Sequence, residues 1–265
     1  MFKFNLYIAL LAGLLALSAC QKVVNLNVGN AATQIVIEAN INNIKGSQTV
    51  TISQSVPFTS TNNYPPVSGA TVTLVETKGS SYTLAESPTI PGTYAINNVA
   101  GKPGYTYTLT VKVNGQTYTA VSTMPQPVVF LPVSFTNDVF NSGSKAPVVH
   151  FTDPANIANN YRFVLYVNGT QVKNIYVADD TFTDGGGIDI ALYQNDVTIK
   201  TGDQIIIDDQ GIDRNMFYYW YSLSQQQGTG VGGTAPANPP SNISNGALGY
   251  FSAHTSVIQA VVVPK

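Results

Sequence analysis

The chain has 265 residues, 44% of them hydrophobic and only 10% charged, against about 25% charged in an average soluble domain. That hydrophobic share excludes a disordered polypeptide, and the formal net charge of −2 excludes the broad basic surface that nucleic acid requires. A single cysteine excludes both an internal disulfide framework and a multi-cysteine zinc site. Polar character comes instead from Asn and from 27 Thr, which with 15 Tyr and abundant Val favour strands over helices.

In chain order, residues 1–19 have the form of a lipoprotein signal peptide. Lys3 supplies the positive start and Leu6–Leu17 an apolar stretch of only 12 residues, short of the roughly 20 that span a bilayer. Small residues then lead to Cys20, the one cysteine, where acylation is expected. Gln21 follows it, and no Asp that would favour the inner membrane stands there. The expected location is therefore the outer membrane, with Cys20 as the lipid anchor, residues 20–32 as a tether, and the periplasmic or surface face left open.

Residues 33–125 alternate short Thr-, Val- and Tyr-rich runs with turn residues: QIVIEAN, QTVTISQS, ATVTLVE, SYTLAE, GTYAI, YTYTLTVKV and QTYTAVS. Seven strands at this spacing predict a β-sandwich. Asn114-Gly115 is a type I′ pair that sets Val113 opposite Gln116, Val111 opposite Tyr118 and Leu109 opposite Ala120. Prolines 125, 127 and 132 suggest a boundary, with 126–265 as a second, β-rich domain whose charge shifts to acidic. There Asn168-Gly169 repeats the hairpin device. A helix is predicted near 213–227, capped by Asp213 and stapled by Ile212 and Phe217. Residues 228–247, rich in Gly, Pro and Asn, predict a mobile loop, with Val231 and Ile243, and Tyr250 just beyond it, as candidate binding residues.

Catalytic signatures are sparse. The two histidines, His150 and His254, fit ordinary strand or turn places, and no G-x-S-x-G, P-loop, GxGxxG or HExxH motif occurs. Asp residues crowd 179–213; among them Asp179, Asp180 and Asp184 are weak candidates for a cation, with turn and cap roles as the simpler reading. No catalytic residue and no cofactor are expected.

QIVIEANI, QTVTISQSVPF, VSGATVTLVE, PGTYA, GYTYTLTVKVNGQTYTAVSTMP, DDTFTDG, TGDQIIIDDQGIDRNMFYYWYSL and NISNGALGYFSAH, in this order behind a lipobox, resemble a family of Bacteroidota lipoproteins known as domain of unknown function 4249. The resemblance implies a two-domain β protein whose first domain is transthyretin-like; with the helix near 213–227, the expected fold is all-β, two immunoglobulin-like or transthyretin-like sandwich domains with one short helix in the second. The resemblance also implies a neighbouring TonB-dependent transporter. The function expected is that of a non-enzymatic accessory or ligand-binding partner of such a transporter, with a structural or adhesive module as the alternative and a hydrolase as a further one.

Overall fold

The computed structural model describes residues 32–57, 60, 63–227 and 238–265. The signal peptide, Cys20 and Val231 lie outside them. In chain order the strands are β1 (Ile35–Asn42), β2 (Gly46–Gln54), β3 (Thr71–Glu76), β4 (Ser81–Glu86), β5 (Thr93–Val99), β6 (Thr106–Val113), β7 (Gln116–Thr123), β8 (Phe130–Asn137), β9 (Lys145–Thr152), β10 (Asn160–Val167), β11 (Thr170–Gln171), β12 (Tyr176–Asp179), β13 (Gly187–Ala191), β14 (Gln204–Gly211) and β15 (Leu248–Val262), with one helix, α1 (Arg214–Gln226), between β14 and β15. The fold is an all-β sandwich, and its first seven strands coincide with the seven runs of the sequence.

In the first half, β1, β2 and β5 form one leaf, and β4, β3, β6 and β7 the other. A short pairing of β4 with β5 joins the leaves. Period-two alternation turns Ile37, Ile52, Val72, Tyr107, Leu109 and Val111 into a common core. Asn114 and Gly115 have φ of 52° and 73°, and the β6–β7 register is the one their turn dictates. Asn168 and Gly169, at 49° and 80°, turn β10 into β11 in the same way.

The expected division at 125/126 separates two cores but not two domains. Residues 33–265 form one compact unit, because β15 serves both halves. Its 15 residues reach about 50 Å at a rise of ~3.3 Å each. Leu248–His254 pair in parallel with β1, and Thr255–Val262 pair antiparallel with β14. The result is one 12-stranded sheet through both halves, beside a three-stranded sheet in the order β13, β9, β8. Phe251 and Ala253 belong to the first core, whereas Ile205, Ile207 and Val263 belong to the second with Phe151, Tyr161 and Phe163.

α1 begins where the sequence places it. The Asp213 carboxylate accepts the Met216 N–H at 3.0 Å and the Ser122 hydroxyl from β7. Ile212 and Phe217 meet in a third small cluster with Met216, Tyr219 and Tyr250. The second part of the expected mobile loop is packed. The Ser244 N–H donates to Thr119 O at 2.8 Å, and Asn242 exchanges two hydrogen bonds with the Phe251 backbone, at 2.8 and 2.9 Å. Residues 240–247 thus cover the outer edge of β7.

Where β15 starts, Gly249 (φ +92°) lies so close to β1 that an added Cβ would sit 2.1 Å from Ile37 O. Gly115 has the same handedness of φ but open space around it. Gly249→Ala should therefore cost more than Gly115→Val: about 3 kcal/mol or more for contact plus strain, against about 1–3 for strain alone. Urea melts of the two variants check this, and equal losses would refute the close approach.

Candidate functional site

The three-stranded sheet brings together residues far apart in sequence. Asp189 on β13 lies directly opposite His150 on β9, and its Oδ1 is 2.6 Å from His150 Nδ1. On the other side, Ser134 Oγ of β8 is 2.7 Å from His150 Nε2. A carboxylate can only accept, so a neutral imidazole carries its proton on Nδ1 and takes the Ser134 hydroxyl proton's hydrogen bond at Nε2. Backbone register creates this row. β8 opposes β9 as Leu131 to His150, then slips so that Ser134 opposes Val148 rather than Pro147. Without that one-residue bulge, alternation would bury Ser134 on the opposite face. With it, Ser134 is exposed, the His150 side chain 24% exposed and that of Asp189 74%. The inner face meanwhile keeps Phe130 tilted against Phe151, with ring centroids 5.0 Å apart. His150 had only Asp153 near it in sequence; its actual partners stand 16 and 39 residues away, and no spacing motif could show them.

The candidate cation residues separate. Asp179 leaves the set, because its carboxylate pairs with Arg214 at 2.8 Å. Asp180 and Asp184 instead converge with Asp153, one oxygen of each lying within 4.8 Å of the others. Such a trio of carboxylates could contribute to an oxygen-ligated cation. Each is also held by the protein: Asp153 accepts the Tyr161 hydroxyl, Asp180 the Asn159 N–H at 2.7 Å, and Asp184 the Asn156 N–H at 2.7 Å. The turn residues that looked structural in the sequence thus fix the loop between β12 and β13.

The candidate binding residues Ile243 and Tyr250 are both buried. Residues 240–247 form a strap over β7, and Ile243 within it enters the first core. Tyr250 lies under α1, 5.0 Å from both Tyr219 and Trp220 ring centroids. The open feature nearby is a groove of about 720 Å³ between β7, the strap and α1, lined by Thr119, Val121, Asn215, Tyr218, Ser222 and Asn242 among others. Among the described residues, its lining carries no charged side chain.

His254 and Asp209 are buried titratable groups of the large sheet. His254 is 3% exposed, with Nδ1 3.0 Å from Ser252 Oγ. Burial holds its imidazole down to about 4, with Asp208 opposing and Arg162 reinforcing the shift. Arg162 lies 3.6 Å over the Trp220 ring, closing this polar patch beneath α1. On the opposite face Asp209 is fully buried. One oxygen accepts Gln259 Nε2 at 2.8 Å and the other has no partner. Burial pushes its carboxyl up to about 7. The folded state therefore holds this proton more tightly than the unfolded chain, and stability falls as pH rises from about 4 to about 7. His254 acts in the opposite sense, with stability falling as pH drops from about 6.5 to about 4. Asp209→Asn should raise stability by about 2–4 kcal/mol at pH 8 and change it little at pH 4. Denaturant midpoints at the two pH values check this; a variant less stable at pH 8 would show that the carboxylate is satisfied there.

Among curated proteins, none matches this sequence. Similar solved structures include a two-fibronectin type-III-domain segment of chicken tenascin, at 11% identity and a TM-score of 0.24, over 87% of this chain and 99% of that one. The FN1-FN3 domains of chicken CNTN1 are similar at 10% identity and a TM-score of 0.25, over 86% of this chain and 66% of that one. The model of a family described as a domain of unknown function, DUF4249, matches residues 21–259, nearly the whole chain, and the protein belongs to that family.

Proposed function

We propose that this protein is a lipid-anchored outer-membrane component that works by recognition, as an accessory or ligand-binding subunit beside a TonB-dependent transporter. The observation that carries the reading is the place of Cys20. It is the only cysteine, it stands three positions after a 12-residue apolar stretch, and it precedes by 13 positions the compact unit that starts at Thr33. Several acyl chains on such a residue anchor a protein stably, whereas a single one binds only marginally. The transporter as neighbour rests on the resemblance of the whole chain to its family.

The uncharged groove along β7 and α1 supports the ligand-binding half of the proposal, since concave surfaces with a few polar groups are where small ligands bind. Ile243 and its neighbours in the second part of the predicted loop form one wall of this groove, and Tyr218, 46% exposed, stands on its helical wall.

Cys20→Ser should abolish incorporation of a fatty-acid analogue and release the protein from the membrane fraction. Label retained by the variant would refute the anchor. Affinity capture of the acylated protein from solubilised membranes should bring down a TonB-dependent transporter, and Tyr218→Ala should weaken its retention several-fold. Capture of further copies of the chain alone would favour a structural module instead.

A further inference from the structure

We propose that Ser134 is a nucleophile activated by His150 and Asp189, able to accept and release acyl groups from small carboxylic esters. This adds a chemical capacity to the module and does not depend on the recognition role above.

The atoms stand in the order that acyl transfer needs: hydroxyl, imidazole Nε2 at 2.7 Å, Nδ1, carboxylate at 2.6 Å. Nothing in regular β-structure requires this order. The bulge between Leu131 and Ser134 brings the serine to the histidine's face at the expense of ladder pairing, and bulges commonly re-aim side chains in this way. All three residues lie on one solvent-facing surface, so a substrate reaches Ser134 without opening the fold. Leu131, directly opposite His150 and 51% exposed, offers an apolar rest for the acyl chain.

In the first half-reaction Ser134 Oγ bonds to the ester carbonyl carbon while its proton passes to His150 Nε2. The ester C–O bond then breaks, and the leaving alkoxide takes that proton and departs as the alcohol. In the second half-reaction water adds to the acyl-serine through the same imidazole. The carboxylic acid leaves and Ser134 regains its proton, so the sum is ester plus water to acid plus alcohol. Asp189 touches only the imidazole: it is a positioning residue that holds the Nδ1–H tautomer and steadies the imidazolium.

The test uses the full-length acylated protein in detergent with a fluorophosphonate probe and, separately, p-nitrophenyl acetate. Mass spectrometry should place one phosphonate on Ser134, and Ser134→Ala should remove it. His150→Gln should slow labelling about 100-fold, and Asp189→Asn at least tenfold, with Asp189→Glu recovering part of the loss. Because the three side chains reach solvent, circular dichroism and melting midpoints should be unchanged in every variant. Absence of label on Ser134, label spread over other serines, or an unchanged rate in His150→Gln would each overturn the assignment and leave the row as a set of cross-strand surface hydrogen bonds.

Discussion

The structure depends on the double pairing of β15. A strand that gives its first half to β1 and its second half to β14 makes one hydrogen-bonded sheet out of two separately packed cores. Its parallel contact with β1 is long-range and carries a large loop-closure cost, which is offset only when the complete strand is laid down. The close approach of Gly249 to Ile37 O marks where this contact begins. Asn242, bonded to Phe251 in both directions, steers the chain into it.

The same strand explains the buried polar groups. Alternation along β15 sends Phe251 and Ala253 into the first core, and Tyr250, Ser252 and His254 to the face under α1. That second face is neither solvent nor an apolar core. It is closed by Arg162 stacked on Trp220 and by the Tyr219–Tyr250 contact, so its polar atoms satisfy one another. Ser252 meets His254, and the Ser256 hydroxyl donates to Asp208. With only 10% charged residues, the chain has few ions to hide. Asp209, on the opposite face, keeps one oxygen unpaired in the interior, and burial keeps its carboxyl readily protonated.

The outer face of the small sheet follows a different logic. Its polar row exists because β8 slips by one residue against β9. A register shift is a backbone event with local strand-pairing causes, yet here it decides which side chain an imidazole meets. The acidic trio at the neighbouring loop arises in the same way, from turns that fold Asp180 and Asp184 back toward the end of β9.

Local rules made the hairpins, the first seven strands, the Asp213 cap and the Ile212–Phe217 staple legible in the sequence, because each depends on residues within one turn or one strand pair. Asn-Gly at positive φ sets a register without help from the rest of the chain. Three things were decided only by tertiary structure. Residues 240–247 look like a loose linker, but Ile243 finds a core to enter. Asp179, Asp180 and Asp184 look like a set, but Arg214 draws the first away and Asp153 replaces it. Ser134, His150 and Asp189 carry no common motif, because pairing between strands 16 and 39 residues apart is a matter of fold and not of spacing. Sequence by itself determined which segments become strands and how each turn closes. Which strands become neighbours, and so which side chains can do chemistry together, was settled by the long-range pairing that no local pattern encodes.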